Sequence, residues 1–368
     1  MKKALVYYPF PLAKEANSGS KLRPLEMIKA FNSWGEQNGV EIVFISGTTA
    51  EREKQFQELL SNGKLNDLWF CYMENQTIPI WLTDPGHKPA RPFLDRKILK
   101  FLQSRNVPVG VFYRDIYWKF DDLYPLTGVK KRIMQTIYRV EEKFYQKYCQ
   151  VIFVPSLEMG KYVDIDRPMV DLPPGGKEVP ISYKNIDNRP LEAIYVGAIK
   201  SEEYGLPLLL DALELANNKD LRCKLTVVCR PDEYEMLADG QKEKIRKQNV
   251  AVKHISGKEL DVLYKEMDFA FIPRLCTEYQ HFSMPVKLVE YLSNGLPIVA
   301  TECDAQKRFL SENGYGVICK DEKKSMAEAI DVMVDSIKNY QDNIQATFLQ
   351  NHSWMARVQK VKNSLVGE

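Results

Sequence analysis

The chain has 368 residues, 45% of them hydrophobic and 27% charged, with a formal net charge of +2. That is the composition of a soluble globular protein of about two domains. It excludes a nucleic-acid binder acting by bulk attraction, and no apolar run approaches the ~18 residues of a membrane span. Seven scattered cysteines without a CxxC pair and four histidines without HExxH spacing predict reduced thiols and no transition-metal site.

The first element is the strand "KALVYYP". Its lysines and short apolar run, closed by a proline turn, fit a strand better than a secretory leader, so a cytoplasmic chain is expected. Further strands follow at "VEIVFIS", "LWFCYM", "VPVGVFY" and "QVIFVPS", separated by longer helical patterns. This alternation predicts a parallel sheet with crossover helices. Between the fourth and fifth strands, residues 128–149 form a basic amphipathic helix with Lys130, Lys131, Arg132, Arg139, Lys143 and Lys147. Ile133, Ile137, Phe144 and Tyr148 can share its apolar stripe. Such a helix is either the solvated face of a packed element or a dock for an anionic membrane surface, which would make the protein peripheral at the inner face of the membrane.

Prolines and glycines crowd into "RPMVDLPPGGKEVPISYKNIDNRP", where periodicity stops. A first Rossmann-like domain is therefore expected over 1–171, a linker over 172–190 and a second such domain over 191–345. The second domain contributes the strands "LEAIYVGA", "KLTVVC", "VAVKHIS", "FAFIP" and "LPIVAT". Beyond them Met326, Ile330, Met333 and Ile337 share one helical stripe, and residues 346–368 are expected to form a last helix that packs back on the N-terminal domain. The fold class expected is α/β, with two Rossmann-like domains facing a cleft.

In such sheets function sits just past the carboxyl ends of the strands. Neither GxGxxG nor GxxxxGK[ST] occurs, which argues against a dinucleotide oxidoreductase and a P-loop nucleotidase. The stretch "FSMPVKLVEYLSNGLPIVAT" instead predicts a helix of about three turns, with Ser283 as N-cap, Pro285 in the first turn, Gly295 as the left-handed residue after the last turn and Pro297 as a stop. Lys287 and Glu290 then share a face, while Leu288, Tyr291 and Leu292 turn inward. An ammonium in the first turn reinforces a diphosphate site, and a carboxylate one turn deeper can accept from a ribose diol. A plain surface salt bridge is the alternative.

The spacing of Pro285, Lys287, Glu290 and Tyr291 before "GLPIVAT" resembles the donor-sugar motif of the GT-B glycosyltransferases, especially bacterial enzymes that build surface polysaccharides. "NSGSKLRPLEMIKAF", "LPPGG" and "YVGAIKSEEYGLPLLLDAL" extend the resemblance over nearly the whole chain. It implies that Lys287 contacts donor phosphates and Glu290 the ribose, and that Gly197 lets backbone approach the diphosphate. Arg230 is a candidate second phosphate ligand. Gly19 and Ser20 would face the donor from the other domain, and Arg23 would meet a phosphate or solvent.

Two positions depart from the family pattern. Phe282 stands where many retaining members carry a second glutamate, with Glu278 as a substitute if its loop folds inward. Ala198 stands where an arginine often follows the glycine, with Lys200 nearby. The retaining or inverting course stays open. An inverting enzyme needs a general base, and Asp115, directly after the strand "VPVGVFY", is the candidate, with Tyr113, Tyr117 and Trp118 as sugar-stacking faces and Arg114 as a possible partner. Asp84 and His87 are the weaker choice, since a DPG turn explains them. His254 and His281 are candidate neighbours of the base or sugar.

No DxD stands at a strand end, so no metal and no cofactor beyond the nucleotide-diphosphate sugar are expected. The expected partners are that donor and a glycan acceptor, with a polyprenyl-diphosphate-linked oligosaccharide as one option for it, and no nucleic acid. The alternatives are a non-hydrolysing nucleotide-sugar epimerase and a non-catalytic transferase-like scaffold.

Overall fold

A computed structural model describes residues 2–13, 19–185 and 190–367, and the chain divides into two compact units, 1–175 with 354–368, and 176–353. The first unit runs β1 (Lys2–Tyr8), α1 (Gly19–Asn38), β2 (Val40–Ser46), α2 (Thr49–Ser61), β3 (Leu68–Glu74), α3 (Leu94–Ser104), β4 (Val109–Phe112), α4 (Gly128–Tyr148), β5 (Val151–Val154), α5 (Leu157–Gly160) and β6 (Met169–Asp171). The second runs β7 (Leu191–Val196), α6 (Leu206–Ala216), β8 (Cys223–Val228), α7 (Pro231–Glu235), α8 (Asp239–Lys247), β9 (Ala251–Lys253), α9 (Lys258–Tyr264), β10 (Phe269–Ile272), α10 (Glu278–Phe282), α11 (Val286–Ser293), β11 (Ile298–Thr301), α12 (Asp304–Asn313), β12 (Gly316–Cys319) and α13 (Lys323–His352). The last helix, α14 (Trp354–Val366), belongs to the first unit.

Among the described residues there are two six-stranded sheets, ordered β2-β1-β3-β4-β5-β6 and β12-β11-β10-β7-β8-β9, and all their pairings are parallel. Helices cover both faces, and β4, β5, β10 and β11 are buried throughout, as parallel strands require. Both units are Rossmann-like, as the alternating pattern predicts. Each sheet has one strand more than expected, β6 and β12. Both are edge strands of three or four residues, too short to show a period.

In the first unit Met27, Phe31 and Trp34 of α1 pack with Trp354, Val358 and Val361 of α14 against the sheet. The Trp34 indole also donates to Gln359 at 2.9 Å, so the chain's last helix does return to the N-terminal unit. It begins later than residue 346, because Ile344 and Phe348 carry the buried stripe of Met326, Ile330, Met333 and Ile337 on to the end of α13. The chain leaves this unit at Gly175, where a Cβ would sit 2.6 Å from the backbone of Trp354. Only glycine allows the outgoing and returning strands of chain to lie that close. No helix of the described residues is long and apolar enough to cross a membrane.

Candidate functional site

The order of the second sheet reverses between β7 and β10, and the connections after these two strands leave in opposite directions. A crevice is expected at that point. A cavity of about 260 Å³ lies there, lined by Gly197 and Ala198 after β7, Pro273 and Arg274 after β10, Tyr204, and Lys287 of α11. Its wall is tightly built: Gly205 has φ +77°, and a Cβ on it would come 1.7 Å from the carbonyl oxygen of Pro273. A methyl on Gly197 would reach the Tyr195 hydroxyl at 3.2 Å.

The stretch that carries Lys287 folds as two short helices instead of one of three turns. Thr277 caps α10, Ser283 ends it, and Pro285 holds the N-cap position of α11. Ser283 therefore closes one helix and does not open the next, because the fixed φ of Pro285 starts the new helix behind it. Gly295, at φ +75°, takes the left-handed conformation after the last turn. Leu288, Tyr291 and Leu292 face the core. The Tyr291 hydroxyl accepts from the backbone N–H of Val196 at 2.8 Å, which fixes α11 to the end of β7.

Lys287 and Glu290 face outward, each about one-third exposed, and pair at 2.7 Å. The hydroxyl of Tyr264, at the end of α9, donates to the same carboxylate at 2.7 Å. Burial, and then the Glu290 charge, raise the pKa of that phenol, so it stays a donor. The carboxylate is thus held in place from two sides. An i,i+3 ion pair of this exposure contributes about 0.2–0.5 kcal/mol, little enough for a ligand to displace.

Arg274 is the residue that sequence reasoning missed. Its guanidinium lines the cavity and donates to the Gln280 side-chain oxygen at 2.8 Å and to the Ser283 hydroxyl at 3.1 Å. Among the described residues it makes no ion pair with a carboxylate; the groups near it that could carry negative charge are the Cys303 thiol and the phenols of Tyr195, Tyr204 and Tyr279. Burial pulls its pKa below the usual guanidinium value. A half-buried cation with neutral partners is suited to receive an anion, and a planar fork suits phosphate oxygens.

Other residues singled out in the second unit lie elsewhere. Arg230 sits exposed at the N-cap of α7, after β8, and is not among the residues lining the cavity. Phe282 is buried against Tyr279, so the position of a second glutamate is here part of the core. Glu278 is exposed at the first residue of α10 and does not turn inward. Lys200 is also exposed. His281 pairs with Asp304 at 3.2 Å beside the start of α12, and His254 contacts the carbonyl of Cys229 at 2.9 Å.

In the first unit Arg23 does not reach solvent. It is buried, 3.6 Å from Glu74, donates to the Leu172 carbonyl at 3.0 Å and lies 3.5 Å over the Phe112 ring. Arg114 pairs with the other oxygen of Glu74 at 2.9 Å, and not with Asp115. Asp115 follows β4 and accepts from the backbone N–H groups of Ile116 and Tyr117 at 2.7 and 3.0 Å, which caps the short turn Tyr117–Lys119. Tyr113 and Trp118 are buried, Trp118 stacked on Tyr138, so they offer no face to a sugar; Tyr117 is half-buried. Asp84 is structural, accepting from Thr49 and Ala90, and hydrogen bonds hold its carboxyl below the usual range despite burial. Gly19 and Ser20 open α1, and their side chains lie outside the described residues. Among the described residues no cluster of His, Cys, Asp or Glu could hold a metal ion.

Residues 190–336, which hold the whole of this crevice, match the family model "Glycosyl transferases group 1". This region is similar to a group 1 glycosyltransferase domain. The architecture of both units is that of solved GT-B glycosyltransferases. HepE of Anabaena, solved with UDP, aligns at a TM-score of 0.60 with 12% identity over 99% of each chain. Sucrose-phosphate synthase of Thermosynechococcus elongatus aligns at 0.57 with 14% identity over 99% of this chain and 98% of that one. WaaG, a glycosyltransferase involved in lipopolysaccharide biosynthesis, aligns at 0.53 with 14% identity over 100% of each chain. No curated protein matches the sequence. The crevice thus carries Lys287 and Arg274, while Glu290 pairs with Lys287 without lining the cavity.

Proposed function

We propose that the protein is a glycosyltransferase that moves a sugar from a nucleotide-diphosphate donor to a glycan acceptor in surface polysaccharide synthesis. The observation that carries this reading is the pairing of Arg274 and Lys287 in one crevice at the switch point of the group 1 domain. Two cations from different elements fit two phosphates. Glu290, oriented by Tyr264, is the acceptor for the ribose hydroxyls. HepE was solved with UDP, which makes UDP the first nucleotide to test here. As phosphate charge builds on the leaving group, Arg274 and Lys287 stabilise it without a metal.

Asp115 is the proposed base that takes the proton of the acceptor hydroxyl. Its Oδ1 also caps a turn, so Asp115→Asn keeps an oxygen for the cap and removes the base. The expected outcome is an unchanged melting temperature with kcat lower by about 10²–10⁴-fold. The acceptor in this reading is borne on a lipid diphosphate, and α4, with its six cations, is where the protein meets an anionic membrane.

The test incubates the protein with UDP-, GDP- and dTDP-linked sugars, with and without a membrane extract as acceptor, and analyses the products. An acceptor-dependent glycosidic product supports the transferase. A donor epimer formed without acceptor points to the epimerase, and nucleotide binding without turnover to the scaffold.

A further inference from the structure

The helix α4 presents its faces in an unusual way. Its buried side holds Tyr138, Tyr145 and Tyr148 together with both of its carboxylates, Glu141 and Glu142. Its outward side holds Val129, Ile133 and Val140, which are 73%, 56% and 50% exposed. The sequence stripe is split accordingly: Tyr148 is buried, while Ile133 stands in solvent. Next to it, Phe93 at the start of α3 is 75% exposed. Three branched aliphatic residues and an aromatic in water are costly to keep, and such a patch marks a contact surface.

Between α3 and α4 lies a groove of about 550 Å³, lined by Trp81, Phe93, Val140 and Phe144, with Arg96, Lys143 and Lys147 at its rim. The only carboxylate of α3, Asp95, is buried against Arg52. Neither helix therefore offers an exposed carboxylate to this surface. An apolar slot ringed by cations is complementary to an amphiphile with a hydrocarbon chain and an anionic head.

We infer that the groove between α3 and α4 receives a hydrocarbon chain of an anionic lipid, with Arg96, Lys143 and Lys147 on its head group. This rests on the membrane contact proposed above and adds the place where a chain enters. Electrostatic attraction alone would need only the cations; Trp81, Phe93, Val140 and Phe144 have no part in it.

Trp81 provides the readout. The full-length protein is mixed with vesicles of phosphatidylcholine and phosphatidylglycerol whose acyl chains carry bromine, which quenches nearby indoles. The expected result is quenching that needs the anionic lipid and falls at least fivefold in Trp81→Phe. Phe93→Ser with Val140→Ser is expected to weaken vesicle sedimentation at least tenfold in high salt, with UDP affinity unchanged. Quenching that is equal in Trp81→Phe, or sedimentation of the double variant equal to wild type, would overturn the inference and leave a purely electrostatic contact. A lipid-free dimer abolished by Phe93→Ser would overturn it in favour of an interface between two copies. Loss of UDP binding by the wild-type protein would count against the transferase reading alone, since the vesicle assay does not depend on it.

Discussion

At the carboxyl end of the first sheet two guanidinium groups, Arg23 and Arg114, share the buried carboxylate of Glu74. At the corresponding end of the second sheet Arg274, among the described residues, donates to an amide and a hydroxyl oxygen. The residue types are alike, and the difference lies in what completes them. A buried charge with a buried counter-charge is committed to the fold, because removing either partner strands the other. A half-buried charge with neutral partners still has its strongest bond to make. The Glu74 cluster of the first unit uses its charges in the fold, and we propose that Arg274 of the second keeps its own for a ligand.

The most damaging change should be Glu74→Ala, which takes the shared counter-charge from two buried guanidinium groups. A loss of about 3–5 kcal/mol, or roughly 10 °C in the melting of a unit this size, is expected by calorimetry, with nucleotide affinity intact. Loss of affinity at an unchanged melting temperature would instead move the ligand to the first unit and break the comparison.

Glu141 sharpens it through pH. Burial lifts its carboxyl to about 8, with Glu142 and Asp95 adding to the rise and hydrogen bonds from Tyr145 and Ile80 opposing it. A carboxyl that holds its proton more tightly when folded stabilises fully below its unfolded pKa of about 4.5, and that stability is lost as pH rises towards 8. Each unit of difference is worth about 1.4 kcal/mol. The melting temperature should therefore fall from pH 5 to pH 8, and Glu141→Gln, which retains an acceptor for Ile80 and Tyr145, should flatten that fall. An unaltered slope in the variant would place the titrating group elsewhere.

The smallest effect should come from Glu290→Gln. Breaking a half-exposed pair with Lys287 should change stability by less than about 0.5 kcal/mol. Weakening a charged acceptor for a ribose diol should lower UDP affinity about tenfold, and pyrophosphate affinity hardly at all. Equal losses for both ligands would assign Glu290 to positioning Lys287 rather than to the ribose.

Much of this was legible in the sequence because it is local. The apolar runs of β1, β2 and β7 fix their strands, and Lys287, Glu290 and Gly295 lie within nine residues of one another. Features that depend on distant partners were not. Arg274 matters only because β10 ends beside β7, about eighty residues earlier in the chain. Asp84 is a cap because the start of α2 happens to reach it, and Arg23 is structural because β3 delivers Glu74. For α4 the helical period was clear, yet periodicity cannot say which stripe turns inward. Tyrosines and hydrogen-bonded glutamates took the core, and the valines were left outside.

Arg274 and Arg230 are the two rival phosphate ligands in the second unit. Calorimetric titration of UDP into the wild type, Arg274→Ala, Lys287→Ala and Arg230→Ala measures them side by side. Loss of a charged hydrogen bond of about 1.5–3 kcal/mol should weaken binding roughly 10–100-fold in the first two variants, with Arg230→Ala binding like the wild type. Wild-type affinity in Arg274→Ala together with a loss in Arg230→Ala would contradict the account and move the diphosphate to the end of β8.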